Sequence, residues 1–249
     1  MPSGDLYDSI GCTYAATRRE DPRVAAQIEA AVGGGRSLVN VGAGSGSYEP
    51  ADRTVVAVEP SDTMIGQRAH RSPCVVRAVA EHLPFPDGAF DAALAVFTVH
   101  HWADRRAGLS ELRRVSRRQV VLFFEPLEVH RFWGVHYFHE AKDLPSERNA
   151  PSEALLRDHL QVREVRPVLV PNDCIDGFGA AFWARPERYL EPEVQAGMSW
   201  MALLPPAVRE RGTGRLAADL ASGEWDRRFG HLRSADSYDA GYRLAVAGA

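Results

Sequence analysis

Short apolar runs alternate with stretches of helical pattern over the first half of this 249-residue chain. Apolar runs of this length are typical of strands buried on both faces of a parallel sheet, whose crossovers are usually helical. The alternation therefore predicts an α/β fold built on a parallel sheet. The runs are Ser37–Val41, Thr54–Glu59, Cys74–Val79, Phe90–Phe97 and Gln119–Glu125.

Two helices are predicted beside these strands. Asp21 can cap a helix whose first residue is Pro22, and the glycines at 33–35 end it just before the first strand. A second apolar stripe at helical spacing runs from Leu109 to Val115, just before the fifth strand.

The second half has a different pattern. Val162–Pro171 and Tyr242–Ala247 predict two more strands. The interval between them is rich in Trp, Phe, Met and Pro and is too long for a hairpin turn, so it predicts helices. Another aromatic segment, Phe132–Phe138, follows the fifth strand. No repeat or linker divides the chain, which predicts a single domain.

Composition excludes several classes of function. The formal net charge is -4 and the arginines are interspersed with acids, which disfavours nucleic acid as a partner. Cys12, Cys74 and Cys174 are widely spaced and lack zinc-ligand spacing, as expected for reduced thiols of the cytoplasm. No stretch resembles a signal peptide or approaches the about 20 apolar residues that a bilayer requires. We therefore expect a cytoplasmic protein that does not enter the membrane.

Three glycines follow the first strand directly, in the stretch VNVGAGSGSYEP. Gly42, Gly44 and Gly46 permit positive φ angles and let a ligand approach the backbone at the carboxyl end of the sheet. The G-x-G-x-G spacing and the short crossover leave little room for the helix on which a dinucleotide phosphate depends. A ligand without phosphate is favoured, with an NAD-binding oxidoreductase as the competing hypothesis.

An acid closes the second strand. The Glu59 carboxylate can accept hydrogen bonds from both ribose hydroxyls of a nucleoside. The alternative is a capping or solvated acid beside Pro60. The glycine loop together with this acid favours a nucleoside ligand.

With the segment AEHLPFPDGAFDAA (Ala80–Ala93), these motifs resemble the class I S-adenosylmethionine-dependent methyltransferases. The likeness is to the small-molecule group that includes the type 11 and ubiquinone/menaquinone methyltransferases. It covers the chain from about Tyr7 to Phe124 and thins to a general pattern beyond.

The resemblance implies a Rossmann-like sheet of seven mostly parallel strands flanked by helices, with the last strand antiparallel. A helical substrate cap would be inserted after strand 5 and between strands 6 and 7. The single domain 1–249 would comprise a cofactor-binding core at 1–125 and a cap over the acceptor site at 126–150 and 172–238. The implied activity is methyl transfer from S-adenosylmethionine to O, N or C of a small metabolite. A homodimer is an open alternative for its assembly.

Each cofactor residue is implied by the same resemblance. The glycines would line the methionine and ribose moieties, Glu59 the ribose, and Ala80 and Glu81 the adenine. Tyr14 and Arg18, four residues apart, could share a helical face and bind the cofactor carboxylate, although Arg18 could equally be a solvated helix residue. The residues placed against the cofactor are Tyr14, Arg18, Gly42, Ala43, Gly44, Gly46, Glu59, Pro60, Ala80, Glu81 and Phe97.

The sequence departs from the family pattern at three places. Asn40 stands where an acid is common, which removes a charge near the cofactor. Val79 replaces a frequent aspartate, so apolar contact and backbone would hold the adenine. The first crossover is short. A protein that uses the cofactor without catalysis remains an alternative for these reasons.

The motif TVHHW follows the fourth strand, whose carboxyl end faces the reactive methyl group in this fold. His100 and His101 have an ordinary pKa of about 6.5 and are candidates for a catalytic base. A base is needed only if the acceptor atom carries a proton that it does not readily lose. The alternative is that a histidine here bonds the cofactor loop.

The aromatic segments of the second half predict a planar or hydrophobic acceptor, because ligand sites are largely apolar with a few polar groups. Within them, His136, His139 and Glu140 would share one side of a helix. No further ligand motif supports a metal site there, so no metal is expected.

Overall fold

The computed structural model describes residues 18–68 and 74–249. The strands are β1 (Ser37–Val41), β2 (Thr54–Val58), β3 (Cys74–Val76), β4 (Phe90–Val96), β5 (Ser116–Phe124), β6 (Val162–Pro167), β7 (Val170–Pro171), β8 (Ser237–Tyr238) and β9 (Tyr242–Gly248). The α-helices are α1 (Pro22–Val32), α2 (Asp62–Gly66), α3 (Arg105–Val115), α4 (Pro145–Arg148), α5 (Glu153–His159), α6 (Pro192–Gly197), α7 (Ser199–Leu203), α8 (Pro206–Ser222) and α9 (Glu224–Phe229). Short 3₁₀ helices cover Val99–His101, Val129–Arg131, Trp133–His136, His139–Asp143, Pro186–Leu190 and Gly230–Ser234.

The main sheet has seven strands in the order β3-β2-β1-β4-β5-β9-β6. Strands β1 to β5 are parallel to one another. The last strand, β9, is antiparallel to both of its neighbours, β5 and β6. The sheet predicted from the family resemblance is therefore confirmed.

The prediction of one strand over Val162–Pro171 is wrong. The paired residues of β6 and β9 end at Pro167 and Arg243, and the amide of Val168 makes one further bond, to the carbonyl of Tyr242, the first residue of β9. Val170–Pro171 pairs instead with Ser237–Tyr238 in a separate antiparallel ribbon. Strands β2 and β4 each end one residue earlier than predicted, which leaves Glu59 and Phe97 just beyond the sheet.

Alternate residues of β1, β4, β5 and β9 enter two hydrophobic clusters, as expected for a sheet covered on both faces. On one face Leu38 packs with Ile28 of α1. On the other face Val39 packs with Leu109 of α3. An aspartate caps each of these helices. At the start of α1, Asp21 accepts from the amide of Arg23, as the sequence predicts, and an aspartate caps α3 in the same way.

Two helical segments leave the sheet at the same edge. Insert 1 (residues 126–150) follows β5, and insert 2 (residues 172–238) lies between β6 and β9. They are joined by aromatic packing: Nε1 of Trp133 donates to the carbonyl of Trp183 at 2.7 Å, and the rings of Trp133 and Trp225 are 5.4 Å apart. The inserts therefore share one core, which continues the cluster on the α1 face of the sheet. Within the described ranges, none of the helices has the length and apolar character needed to cross a membrane.

Candidate active site

A cavity opens at the carboxyl ends of β1, β2 and β4. Cavity 1 encloses about 820 Å³ including its mouth. Most of the predicted cofactor residues meet at its wall, although they come from five separate stretches of chain. They are Arg18, Gly42, Ala43, Gly44, Glu59, Pro60, Ala80, Glu81 and Phe97. Tyr14 lies outside the described residues.

The loop after β1 needs its glycines for two different reasons. Gly42 has φ of 68°, and a Cβ built on it would lie 1.8 Å from Oγ1 of Thr98. Gly44 has φ of 53° and lines the cavity. Gly46 also has positive φ, 97°, but it turns the loop beside Arg68 and does not line the cavity. The first two glycines form the wall, and the third shapes the turn behind it.

Glu59 is 6% exposed and joins this loop to the end of β2. Its Oε2 accepts from the amide of Gly44 at 2.8 Å, and Oε1 accepts from the amide of Ser61 at 3.0 Å. A carboxylate oxygen can accept more than one hydrogen bond. The acid is thus fixed at the cavity wall, and binding of ribose hydroxyls by Glu59 stays a prediction.

Asn40 lines the same cavity and stands next to an acid from the crossover loop. Its Nδ2 donates to Oε1 of Glu49 at 2.9 Å, and Glu49 pairs with Arg68 at 2.6 Å. Oδ1 of Asn40 is buried and has no hydrogen-bond partner in the part of the chain that the structure describes. A buried acceptor of this kind needs a donor, and the ammonium group of S-adenosylmethionine is one.

Apolar side chains complete the wall. Val79 is 40% exposed and lines the cavity with Pro60 and Met64, which gives a surface for a flat ring such as adenine. Glu81 lines the cavity too, while its Oε1 accepts from the amide of Asp104 at the start of α3. The acceptors and this apolar wall fit the expected cofactor.

Arg18 lies where cavity 1 meets a second cavity, and it lines both. Its Nε donates to Oδ1 of Asp176 at 2.6 Å. Oδ2 of Asp176 accepts from the hydroxyl of Tyr48 at 2.6 Å. The carboxylate of Asp176 therefore joins insert 2 both to Arg18 and to the glycine crossover. Binding of a cofactor carboxylate by Arg18 stays a prediction.

Cavity 2 encloses about 920 Å³ including its mouth and lies between the sheet and the two inserts. Cavities 1 and 2 share Phe97, a non-glycine residue with φ of 49°. Such backbone strain concentrates at functional sites. Two ligands, one in each cavity, would meet at this ring. The aromatic residues of cavity 2 are Phe97, His100, Phe124, Phe132, Phe138, Phe178, Trp200 and Tyr242.

The two histidines face different cavities. His101 lines cavity 1 and His100 lines cavity 2, with ring centroids 3.9 Å apart. Burial lowers the pKa of His101 to about 4. Burial, with a contribution from His101, lowers the pKa of His100 well below its usual range. Both rings are neutral at pH 7, and the catalytic base predicted at these positions stays a prediction.

One titratable group of cavity 2 is not among the residues predicted from the sequence. Glu147, on α4, lines the cavity, and burial raises the pKa of its carboxyl to about 7. Only the presence of an acid beside an aromatic segment could have pointed to it.

His136, His139 and Glu140 do not form one group of metal ligands in the structure. Nε2 of His136 contacts Nη1 of Arg228 at 2.6 Å, whereas His139 pairs with Glu140 at 3.3 Å. Among residues 18–68 and 74–249, no three or more His, Cys, Asp or Glu side chains are grouped so that they could hold a metal ion.

Known proteins with this sequence pattern transfer methyl groups. The family described as "Methyltransferase domain" matches residues 39–124. The ubiquinone/menaquinone biosynthesis C-methyltransferase UbiE of Geotalea uraniireducens is 31% identical over 135 residues, which are 48% of this chain and 57% of that protein. The demethylmenaquinone methyltransferase of Mycolicibacterium vanbaalenii is 34% identical over 50% of this chain and 53% of its own. The chain thus spans about half the length of these curated relatives.

A solved structure from Anabaena variabilis, described as a methyltransferase from an antibiotic biosynthesis pathway, covers almost the whole chain. It is 33% identical, with a TM-score of 0.85 over 94% of this chain and 99% of that one. The [4+2]-cyclase SpnF, 15% identical with a TM-score of 0.51, shares the fold alone. The sheet order, the glycine loop with its acid and the full-length relative lead to one conclusion. The chain belongs to the class I S-adenosylmethionine-dependent methyltransferases.

Proposed function

We propose that this methyltransferase methylates O, N or C of a small aromatic or hydrophobic metabolite held in cavity 2. The observation that carries the proposal is that a polar cavity and an aromatic cavity meet at two shared residues, Arg18 and Phe97. When bound in cavity 1, S-adenosylmethionine supplies an electrophilic methyl group on its sulfonium. An acceptor in cavity 2 would approach that methyl group across the Phe97 ring.

The residues of cavity 1 would hold the cofactor by complementary groups. Glu59 would accept from the ribose hydroxyls, and Oδ1 of Asn40 from the ammonium group. Val79 would cover the adenine. Holding both reactants in line is itself a large part of catalysis for a reagent that is already electrophilic, since positioning can supply several kcal/mol.

The two inserts would form the cap over the acceptor. Phe132 and Phe138 of insert 1 and Phe178 of insert 2 line cavity 2, so the acceptor would be surrounded by rings and shielded from water. The names of the curated relatives mention quinones, which are flat rings, and this supports a ring-shaped acceptor. A cytoplasmic location and assembly as a homodimer stay predictions.

The proposal is tested by ligand titration and product analysis. S-adenosylhomocysteine should bind the purified protein, whereas NAD should not. Incubation with S-adenosylmethionine and a panel of naphthols, hydroquinones and aromatic amines should give S-adenosylhomocysteine together with a product heavier by one methyl group. Cofactor turnover without a methylated product would contradict it.

A cavity-filling variant separates the two sites. Ala141 lines cavity 2 on insert 1 and does not line cavity 1. Ala141→Trp should weaken acceptor binding at least tenfold while the dissociation constant of S-adenosylhomocysteine stays within twofold. Equal loss of both ligands would contradict the assignment of the acceptor to cavity 2.

A further inference from the structure

We propose that Glu147 is the proton acceptor for the methylated group, and that the acceptor is an aromatic alcohol whose hydroxyl donates to this carboxylate. The proposal rests on the proposed function. No side chain of the glycine loop or of the TVHHW motif takes the proton.

Glu147 lies at the wall of cavity 2 because contacts of its helix, α4, and of the nearby Asn149 fix its position. Helix α4 packs against the 3₁₀ helix Val99–His101. Next to α4, Nδ2 of Asn149 donates to the carbonyl of His100 at 2.9 Å and to that of Trp102 at 3.2 Å. Nη1 of Arg105 in turn donates to the carbonyl of Asn149 at 3.0 Å. These bonds fix α4 against the turn that follows β4, where the two cavities meet.

Tyr242 lies near both the Glu147 carboxylate and the junction, which is the place at Phe97 where cavities 1 and 2 meet. Its ring centroid lies 5.2 Å from that of Phe97, a residue that lines both cavities. The pKa of Tyr242 is raised mainly by burial, and the charge of Glu147 adds to the increase. Glu147 therefore lies within electrostatic range of a side chain that contacts the junction.

The carboxylate has no hydrogen bond or ion pair with any residue in the described ranges 18–68 and 74–249. The adjacent cation, Arg148, pairs with Asp143 at 3.3 Å on the surface. Three other titratable groups line cavity 2. Arg18 pairs with Asp176, and His100 is buried and neutral. The hydroxyl of Tyr242 accepts from an amide. The side chain of Glu147 is partly buried and lines cavity 2, so the hydroxyl of a ligand in that cavity can donate to its carboxylate.

Basicity also favours Glu147 over the histidines. A catalytic base works best when its pKa lies near the operating pH. Burial brings the pKa of Glu147 to about 7, whereas that of His101 falls to about 4. Glu147 can therefore take a proton that His101 would hold only weakly.

The proposed reaction converts the aromatic alcohol into its methyl ether. The O–H bond of the alcohol breaks and its proton moves to an Oε atom of Glu147. The oxygen forms a bond to the methyl carbon, and the S–C bond breaks with its electron pair remaining on sulfur. The products are a methyl aryl ether, a neutral thioether and a protonated Glu147, which returns its proton to solvent after product release.

A fluorescent aromatic alcohol reports this proton transfer directly. The excited state of 2-naphthol gives its proton to an adjacent acceptor, and the resulting naphtholate emits at longer wavelength than the neutral form. The wild-type protein should show naphtholate emission from the bound probe. Glu147→Gln should reduce that emission at least fivefold while still binding the probe. Glu193→Gln, an exposed acid on α6, is the matched control and should behave as the wild type.

The pH dependence of the emission is measured on the wild type alone, so this test does not depend on correct folding of a variant. Lowering the pH from about 8 to about 6 should decrease the naphtholate emission of the bound probe as Glu147 becomes protonated. 2-Methoxynaphthalene, which lacks the hydroxyl proton, should bind wild type and Glu147→Gln equally.

Two results would overturn the proposal. One is that 2-naphthol does not bind the wild type, and the other is that Glu147→Gln leaves the ratio of naphtholate to neutral naphthol emission unchanged. Titration of the same preparations with S-adenosylhomocysteine keeps the two hypotheses apart. Normal binding of that ligand beside a negative naphthol result refutes only the role of Glu147, whereas loss of its binding in the wild type refutes the proposed function.

Discussion

The hydroxyl of Tyr48 donates to the carboxylate of Asp176 at 2.6 Å, across 128 residues of sequence. Tyr48 belongs to the glycine crossover and Asp176 to insert 2, and both are buried. Arg18 binds the same carboxylate. The element that shapes cavity 1 is thus bonded directly to the insert that covers cavity 2.

This link should be measurable in a double-mutant cycle. Tyr48→Phe removes a hydrogen bond to a charged group, so we expect a loss of about 2 kcal/mol in the free energy of unfolding. Tyr189→Phe, which removes a bond to the neutral carbonyl of Gly179, should cost about 1 kcal/mol. In an Asp176→Asn background the cost of Tyr48→Phe should fall by about 1 kcal/mol. Additive effects in urea denaturation would contradict the coupling.

The glycine at the start of the loop should tolerate no side chain. Gly42→Ala places a methyl group on Thr98 at positive φ, and we expect a loss of about 3 kcal/mol, or roughly 6 to 12 °C in Tm. Gly34→Ala is the control, because no atom lies within 4 Å of its Cβ position. Scanning calorimetry of both variants checks this, and a Tm for Gly42→Ala equal to that of Gly34→Ala would refute the packing argument.

Neutralising the acid after β2 should weaken cofactor binding. Glu59→Gln loses charge-assisted hydrogen bonds, so we expect a ~10- to 100-fold higher dissociation constant for S-adenosylhomocysteine. Glu29→Gln, an exposed acid on α1, should change it less than twofold. Calorimetric titration measures both values, and unchanged affinity in Glu59→Gln would remove this acid from the cofactor site.

Two glycines of α8 should respond in opposite directions. A Cβ on Gly212 would lie 2.4 Å from the ring of Phe138, which lines cavity 2, whereas nothing lies within 4 Å of one on the exposed Gly214. Gly214→Ala should raise the free energy of unfolding by ~0.5 to 1 kcal/mol through helix propensity. Gly212→Ala should lower it by about 1 to 2 kcal/mol and weaken 2-naphthol binding without affecting S-adenosylhomocysteine. Stabilisation by both variants would show that Phe138 moves freely.

Glu147 should make stability depend on pH. Its pKa rises from 4.5 in the unfolded chain to about 7 in the fold, so ionisation is disfavoured in the folded state. The penalty is absent below about pH 4.5, grows between the two pKa values and is complete above pH 7. Glu147→Gln should therefore gain stability relative to wild type between pH 5 and pH 8, by up to roughly 3 kcal/mol. A constant difference in Tm across this range would exclude the shift.

The sheet could be predicted because its strands are coded locally. Ser37–Val41 and Phe90–Val96 are apolar runs whose burial on both faces demands a parallel sheet, and the glycines and Glu59 stand immediately after strands. The carboxyl ends of parallel strands converge at one edge, so residues far apart in sequence meet there. The cofactor half of the site follows from this geometry.

The acceptor half could not be predicted in the same way. The position of Glu147 depends on bonds made by Asn149 to the turn at His100, a contact between side chain and backbone that no periodicity reveals. The pairing of Val170–Pro171 with Ser237–Tyr238 likewise depends on how insert 2 folds back. The sequence predicts a missing charge at Asn40, whereas Glu49 from the crossover places an acid beside it.

The position of β9 has a consequence for biosynthesis. It lies between β5 and the edge strand β6, yet it follows all of insert 2 in the sequence. While the ribosome is still making that insert, β5 presents an unpaired apolar edge, the kind of surface that recruits foreign strands. The nascent polypeptide therefore depends on Tyr242–Gly248 to close the gap, and chaperone protection would matter most during the interval before that strand emerges.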